Sequence, residues 1–402
     1  MPLTGQTHKV AIVAPTAFFY QVALFRELAD HPRIDLTVLF CSDEALTGQD
    51  IPKKFNTDGQ WGFEDDLLRG YRYKFLRNFS PRPSYLNWPV GLVNPGIWGE
   101  LERLKPAAVV LMSWMNPTWW LAILACLRYK IPFLYLTDTN IQAEPLKPRW
   151  KTWPKSLLLR SILFKHTSGF LCVGEANRDL YKYYGVPESK LVDFAFTWGY
   201  QDLLGRAQRL KHERDQIRSE LGFQQDSRVI LYCGRLSPEK SPEVLLEAFQ
   251  RLELPGKDLI FVGDGKLRRR LETYIARHDL DSVHLLGFKN RQEVPNYYAI
   301  ADVLVVPSFR EATGAVINEA MCFELPIIVS DQVGFGMDLV RHGYNGFSFP
   351  VGDVGALAGS LKQLFDLPEE KRLEMGARSL DLMTEWSERD LASSLAQYLD
   401  SL

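Results

Sequence analysis

The chain of 402 residues has no cysteine pair at CxxC spacing and no histidine pair at HxxxH spacing. Its five cysteines, Cys41, Cys126, Cys172, Cys233 and Cys322, are scattered and sit mostly in apolar runs. That excludes a disulfide frame or a zinc cluster as the organising device and points to buried thiols in a reducing compartment. Excess charge is nearly absent: 47 basic against 49 acidic residues leave a net charge of −2, which gives no general pull toward nucleic acid. The opening MPLTGQTHKV has no apolar run after a basic one, so a secretory leader is not expected and the cytoplasm is. Low-complexity tracts and short-period repeats are missing too. The longest stretch without charge, Ala107 to Leu127, is close to the ~20 residues of a membrane helix. Asn116-Pro117 interrupts it, however, and Asn-Pro favours a turn, so the stretch reads as strand, turn and buried helix.

What is present is enough chain for two cores. Short apolar runs alternate with helical stretches along the first half: HKVAIVAP, IDLTVLFC, AAVVLMS, PFLYLTD and GFLCVG. The pattern repeats in RVILYCG, DLIFVGDG, VHLLGF, DVLVVPS and PIIVSD. Apolar strands divided by helices predict parallel sheets covered on both faces, hence an α/β protein of two doubly wound, Rossmann-like domains facing across a cleft. The boundaries expected are 1–205 for the first domain and 206–385 for the second. A last amphipathic helix, 386–402, is expected to cross back to the first domain. A charged helical stretch near Gln201 to Leu221 makes the join. The region from Lys53 to Gly96, rich in Pro, Gly and aromatics, reads as an irregular insertion.

Ligands of such sheets bind at the carboxyl ends of the strands. Three loops placed there carry chemistry. CGRLSPEKS holds Arg235 and Lys240, a planar fork and a point charge that both suit phosphate oxygens. FVGDGKLR holds Gly263 and Gly265, which let backbone approach a ligand. REATGAVINEA places Glu311 before a helix expected to start near Thr313-Gly314, and Glu319 inside it. The free amides of Ala315 and Val316 would form an anion site, with a carboxylate on either side able to accept from hydroxyl pairs. A diphosphate between a ribose and a hexose fits that layout.

In order, GRLSPEK, FVGDG, YYAIADVLVVPS, REATGAVINEA, ELPIIVSDQVG and GYNGFSFPVGD resemble family 4 glycosyltransferases over about Arg228 to Asp353. The spacing of Glu311 and Glu319 is similar to that family's E-x7-E motif. The resemblance implies a GT-B fold and retaining transfer of a hexose-type sugar from a nucleotide diphosphate donor, UDP-sugar before others, with no cofactor and no metal. Arg235 and Lys240 would neutralise the diphosphate. Glu311 would hold the donor sugar and Glu319 the ribose. Gly234, Gly263, Asp264, Gly265, Phe288, Thr313, Gly314, Ala315 and Val316 complete the implied donor site. Two departures bear on donor identity: Ala312-Thr313 stands where Gly or Pro and then Phe is common, and Ser241 replaces a frequent Gly.

The first domain says less. APTAFFYQVALF stands in place of a paired-glycine loop, and Phe18, Phe19, Tyr20 and Gln21 are candidates to line an acceptor site or simply to pack the first helix. In LTDTN, Asp138 stands where several family members carry a histidine, and is a candidate catalytic group or a turn cap. The acceptor expected is a glycan or a lipid-linked intermediate. The basic, Trp-bearing stretch 147–166 is a candidate contact with an anionic membrane surface, or a helix with one buried face. Two rival readings remain: a nucleotide-sugar epimerase on the same fold, and a non-catalytic donor-binding or scaffold subunit.

Overall fold

The structure, a computed structural model, describes residues 6–47, 67–143, 157, 159–194, 200–387 and 391–402. These fall into two compact units, one made of the described residues up to 194 together with 391–402, the other of 200–387.

The first unit is built on a seven-stranded parallel sheet of order β3-β2-β1-β4-β5-β6-β7. Its strands are β1 (His8–Ala14), β2 (Ile34–Phe40), β3 (Arg72–Phe75), β4 (Ala108–Leu111), β5 (Phe133–Leu136), β6 (Gly169–Cys172) and β7 (Leu191–Asp193). Side chains of successive strand residues leave on opposite faces, and β1 shows why its run is apolar throughout. Val10, Ile12 and Ala14 enter a core shared with the helix Phe19–Asp30, while Ala11 and Val13 enter a second core with the helices Ile97–Leu104 and Pro117–Tyr129. The uncharged stretch after Ala107 resolves into β4, a turn at Asn116 and the helix Pro117–Tyr129, with Pro117 at the first helical position where a missing N–H costs nothing. Among the described residues no helix is long and apolar enough to cross a membrane.

The last helix, Leu391–Asp400, completes the first core with Leu391, Leu395 and Leu399. The Asp400 carboxylate accepts from Arg33 at 2.6 Å and lies 2.8 Å from the His8 ring, and the Tyr398 hydroxyl donates to the Ser168 carbonyl at 2.7 Å.

The second unit carries a six-stranded parallel sheet of order β10-β9-β8-β11-β12-β13. Its strands are β8 (Arg228–Cys233), β9 (Lys257–Val262), β10 (Val283–Gly287), β11 (Val303–Val306), β12 (Ile327–Ser330) and β13 (Gly346–Phe349). Chain order runs outward from β8 to β10, then returns to β11 on the other side of β8. The crevice above β8 and β11 is therefore a topological switch point, where the loops leaving the strand ends part in opposite directions.

Three strands depart from the expected set. β3 lies within the region read as an irregular insertion, and β7 and β13 stand where none was expected. All three are edge strands. An edge is covered on one side only, so its residues need not be apolar: three of the four residues of β3, RYKF, are exposed.

The base of the β8–β11 pair is locked by charge. The Asp302 carboxylate accepts from the Val229 amide at 2.7 Å, from Arg214 at 2.6 Å and from Arg218 at 3.0 Å. Arg218, only 2% exposed, also donates to the carbonyls of Ile300, Gln225 and Ser227. Asp302→Ala leaves this buried guanidinium without its counter-ion and is expected to cost about 3 kcal/mol, read as a fall in the urea midpoint of the second unit.

Candidate functional site

The site is assembled from loops at the carboxyl ends of β8, β9, β11 and β12, all in the second unit. The loop after β8 closes on itself: the Tyr232 hydroxyl donates to the Arg235 carbonyl at 2.7 Å, and a single helical turn, Pro238–Lys240, follows. The loop after β9 is stitched to it by Gly234 N–H to the Val262 carbonyl at 2.9 Å and Leu236 N–H to the Asp264 carbonyl at 2.9 Å. The two backbones meet so closely that a Cβ on Gly263, whose φ is +137°, would lie 2.0 Å from the Gly234 carbonyl oxygen. Glycine is required there for both reasons.

The loop after β11 reaches the first through Arg310 N–H to the Glu239 carbonyl at 3.1 Å. It is clamped from the other side by the loop after β12, with Glu311 N–H to the Gln332 carbonyl at 3.3 Å and Phe335 N–H to the Thr313 carbonyl at 2.8 Å. The motif ELPIIVSDQVG thus supplies a support for the Glu311 loop that residue type alone did not signal. The helix Ala315–Cys322 begins where expected, after Gly314 at φ +86°. Gly314 makes no side-chain cap, and helix geometry gives the amides of Ala315 and Val316 no intrahelical partner.

These loops bring the charged candidates together. Lys240 Nζ contacts the Glu311 carboxylate, and Arg235 stands 3.7 Å from Glu239 across one turn. Burial pushes the Lys240 ammonium down to about 8, and the Arg235 guanidinium adds to the fall while Glu239 opposes it. Arg235 is exposed. Glu319 is half-buried on the helix, and its carboxylate accepts from the Tyr298 hydroxyl at 2.7 Å. Burial raises the Glu319 carboxyl above its ordinary range, and the Tyr298 bond opposes the rise. Asp264 is occupied within its own loop, accepting from the Gly265 amide at 2.6 Å and from Arg268 at 3.2 Å. Phe288, half-buried, follows β10, two strands away from β8, and its loop is joined to the others through Gly263 N–H and the Gly287 carbonyl at 2.8 Å. Two cations, free helix amides and two differently held carboxylates form one surface: a fit for an anion flanked by hydroxyl-bearing groups.

The candidates in the first unit are more dispersed. Phe18 packs edge-on against Tyr85 with ring centroids 5.0 Å apart. Phe19 and Tyr20 open the helix Phe19–Asp30, and their side chains lie outside what the structure describes. Gln21 is half-buried, its Oε1 enclosed without a hydrogen-bond partner. Asp138 lies exposed in the loop after β5, where Thr137, not Asp138, makes the turn by accepting from the Thr139 amide. Of the stretch 147–166, residues 147–156 and 158 lie outside the described residues. Its later part forms the wide helical turn Leu159–Phe164, which sends Leu159, Leu163 and Phe164 into the core.

Residues 213–380 match the family described as glycosyl transferases group 1. The chain is 29% identical over 194 residues to the putative glycosyltransferase EpsD of Bacillus subtilis, a match covering 47% of this chain and 50% of that protein. It is 33% identical over 159 residues to the alpha-D-kanosaminyltransferase of Streptomyces kanamyceticus, covering 39% and 41%. The chain therefore spans half or less of the length of these relatives. In three dimensions it resembles HepE of Anabaena in complex with UDP, with a TM-score of 0.74 at 17% identity over 98% of this chain and 100% of that one. The architecture is the GT-B fold.

Ser241, at the position where the family resemblance leads one to expect glycine, adopts φ +49° and ψ +46° directly after the Lys240 turn. A residue with a Cβ pays for that left-handed conformation. Ser241→Gly is expected to raise stability by up to ~1 kcal/mol, net of the entropy glycine adds to the unfolded chain, measured as an upward shift in Tm.

Proposed function

We propose that the chain is a retaining, metal-independent glycosyltransferase that moves a hexose-type sugar from a nucleotide diphosphate sugar to the hydroxyl of a glycan or lipid-linked acceptor. The observation that carries this reading is the gathering of Arg235, Lys240, Glu311, Glu319 and the opening of the helix Ala315–Cys322 at the switch point between β8 and β11. UDP is assigned as the nucleotide because HepE, which shares the fold, holds UDP in its crystal structure.

In this reading the diphosphate lies against the amides of Ala315 and Val316, with Arg235 and Lys240 on its oxygens. As the bond from the sugar to the diphosphate breaks, negative charge grows on the leaving phosphate. Fixed donors aimed at that charge are ordinarily the largest catalytic contribution, and one lost donor costs roughly 10²–10³ in rate. Lys240 is already held by the Glu311 carboxylate before any ligand arrives. Donor binding exchanges that contact: the ammonium turns to phosphate, and Glu311 is released to accept from sugar hydroxyls. The departing phosphate oxygen takes the proton of the acceptor hydroxyl, so no protein nucleophile is needed. Acceptor binding falls to the first unit, at the start of the helix Phe19–Asp30, with Phe18, Phe19, Tyr20 and Gln21, and on the loop that carries Asp138.

Thermal unfolding with UDP, ADP and GDP and their sugars, with and without Mg²⁺, tests the assignment. A ligand at 100 times its Kd adds about 2.7 kcal/mol of stability. A shift with UDP and UDP-sugars that Mg²⁺ leaves unchanged is expected, and no shift with any nucleotide would sink the reading.

The depressed Lys240 gives a second test. Its folded value of about 8 means that the ammonium is present below that pH and lost above it. A bound diphosphate favours the charged form, so binding above pH 8 requires proton uptake. UDP affinity is expected to fall by about tenfold per pH unit above 8. Lys240→Arg, which keeps its charge throughout, should remove the slope in calorimetric titrations.

A further inference from the structure

Glu319 is not presented bare. One of its oxygens, Oε2, is taken by the hydroxyl of Tyr298, which comes from the helix Val294–Ile300 on a neighbouring part of the second unit. Tyr298 is only 1% exposed, and its ring packs at 5.5 Å against that of Phe323. A side chain held so tightly has one rotamer, and its hydroxyl one position.

The direction of the hydroxyl proton is set as well. The Tyr298 hydroxyl donates to Glu319 Oε2 at 2.7 Å, and an ionised carboxylate oxygen can only accept. Burial also drives the phenol far above its ordinary range, so it remains a donor at any working pH. The bond runs from Tyr298 to Glu319 and ends on a carboxylate that is only half-buried.

We propose that Tyr298 is a positioning residue that makes the site selective for a ribonucleotide over a deoxyribonucleotide, by fixing the orientation in which Glu319 offers its other oxygen, Oε1, to the ribose hydroxyls. The proposal rests on the reading of Glu319 as the ribose-binding carboxylate. A carboxylate free to rotate accepts from many directions and loses more entropy on binding. One oxygen anchored leaves a single acceptor aimed at one place. The discrimination follows because a deoxy ligand leaves that ionised, partly desolvated acceptor without a partner.

The experiment is calorimetric titration of the full chain with UDP, 2′-deoxy-UDP and 3′-deoxy-UDP, using the native protein, Tyr298→Phe and Glu319→Gln. Phenylalanine keeps the ring packed on Phe323, so the variant retains its fold, and its Tm is recorded as the check. The native protein is expected to prefer UDP by about tenfold or more over the weaker deoxy ligand, the discrimination typical of a hydrogen bond to a charged group. Tyr298→Phe should bring the ratio within about threefold. A structural role alone would weaken all three ligands equally and leave the ratio untouched. A ratio that survives in Tyr298→Phe but is lost in Glu319→Gln would overturn the positioning role and leave the ribose assignment standing. A ratio that survives in Glu319→Gln, or no discrimination in the native protein, would overturn the ribose assignment and the proposal with it.

Discussion

The second unit depends on the pairing of β8 with β11. These strands are far apart in the chain, adjacent in the sheet, and joined in register at Val303 with Ile230 and Leu304 with Leu231. The pair is tied at both ends. Below, Asp302 takes the Val229 amide near the start of β8 and the two arginines of the preceding helices. Above, the Arg310 amide meets the Glu239 carbonyl and Lys240 meets Glu311. Fixing the base in this way fixes how far apart the two charged loops stand at the top. Spacing at a site built for an anion decides how strongly it acts, because Coulomb attraction falls with distance and with access of water.

The first unit uses the same topology for a different surface. Its strand order also reverses beside the first strand, between β1 and β4. The rim there is made of rings and amides in place of charge pairs. Phe18 meets Tyr85, and a fully buried Asn94 donates to the carbonyls of Cys41 and Leu76 while accepting from the Thr118 hydroxyl. Buried amides with every group satisfied hold a loop rigidly. The first unit's rim is thus built from rings and amides, and the second unit's from charged side chains. One scaffold serves both because function resides in the loops and not in the sheet.

How much of this was written in the sequence follows from which physical signals are local. Central strands such as VVL in β4 or IIVS in β12 are apolar because both of their faces are covered, and a run of that kind is legible without a structure. β3 is mostly exposed and β7 only three residues long, so neither gives an apolar run, while β13, GFSF, is largely buried but interrupted by Gly346 and Ser348. At the site, glycines and charges at strand ends stood out because a left-handed turn or a phosphate selects those residue types. Tyr298 did not stand out. In YYAIADVLVVPS it reads as one more aromatic of a buried helix, and only the fold shows its hydroxyl meeting Glu319. The contact of Lys240 with Glu311 is equally invisible, because it depends on two strands becoming neighbours.

The helix Leu391–Asp400 has a consequence for how the protein is made. It supplies Leu391, Leu395 and Leu399 to a core whose other members begin at Val10. A ribosome delivers those leucines after the entire second unit. While synthesis continues, the part of the first sheet's face beside β6 and β7, against which this helix packs, stays open, whereas Phe19–Asp30 already covers β1 and β2. The second unit has all its strands in one uninterrupted stretch of chain and can close earlier. The first unit is therefore completed only after the second unit has been made, and loss of the helix Leu391–Asp400 would be felt at β1, through His8 and the core that begins at Val10.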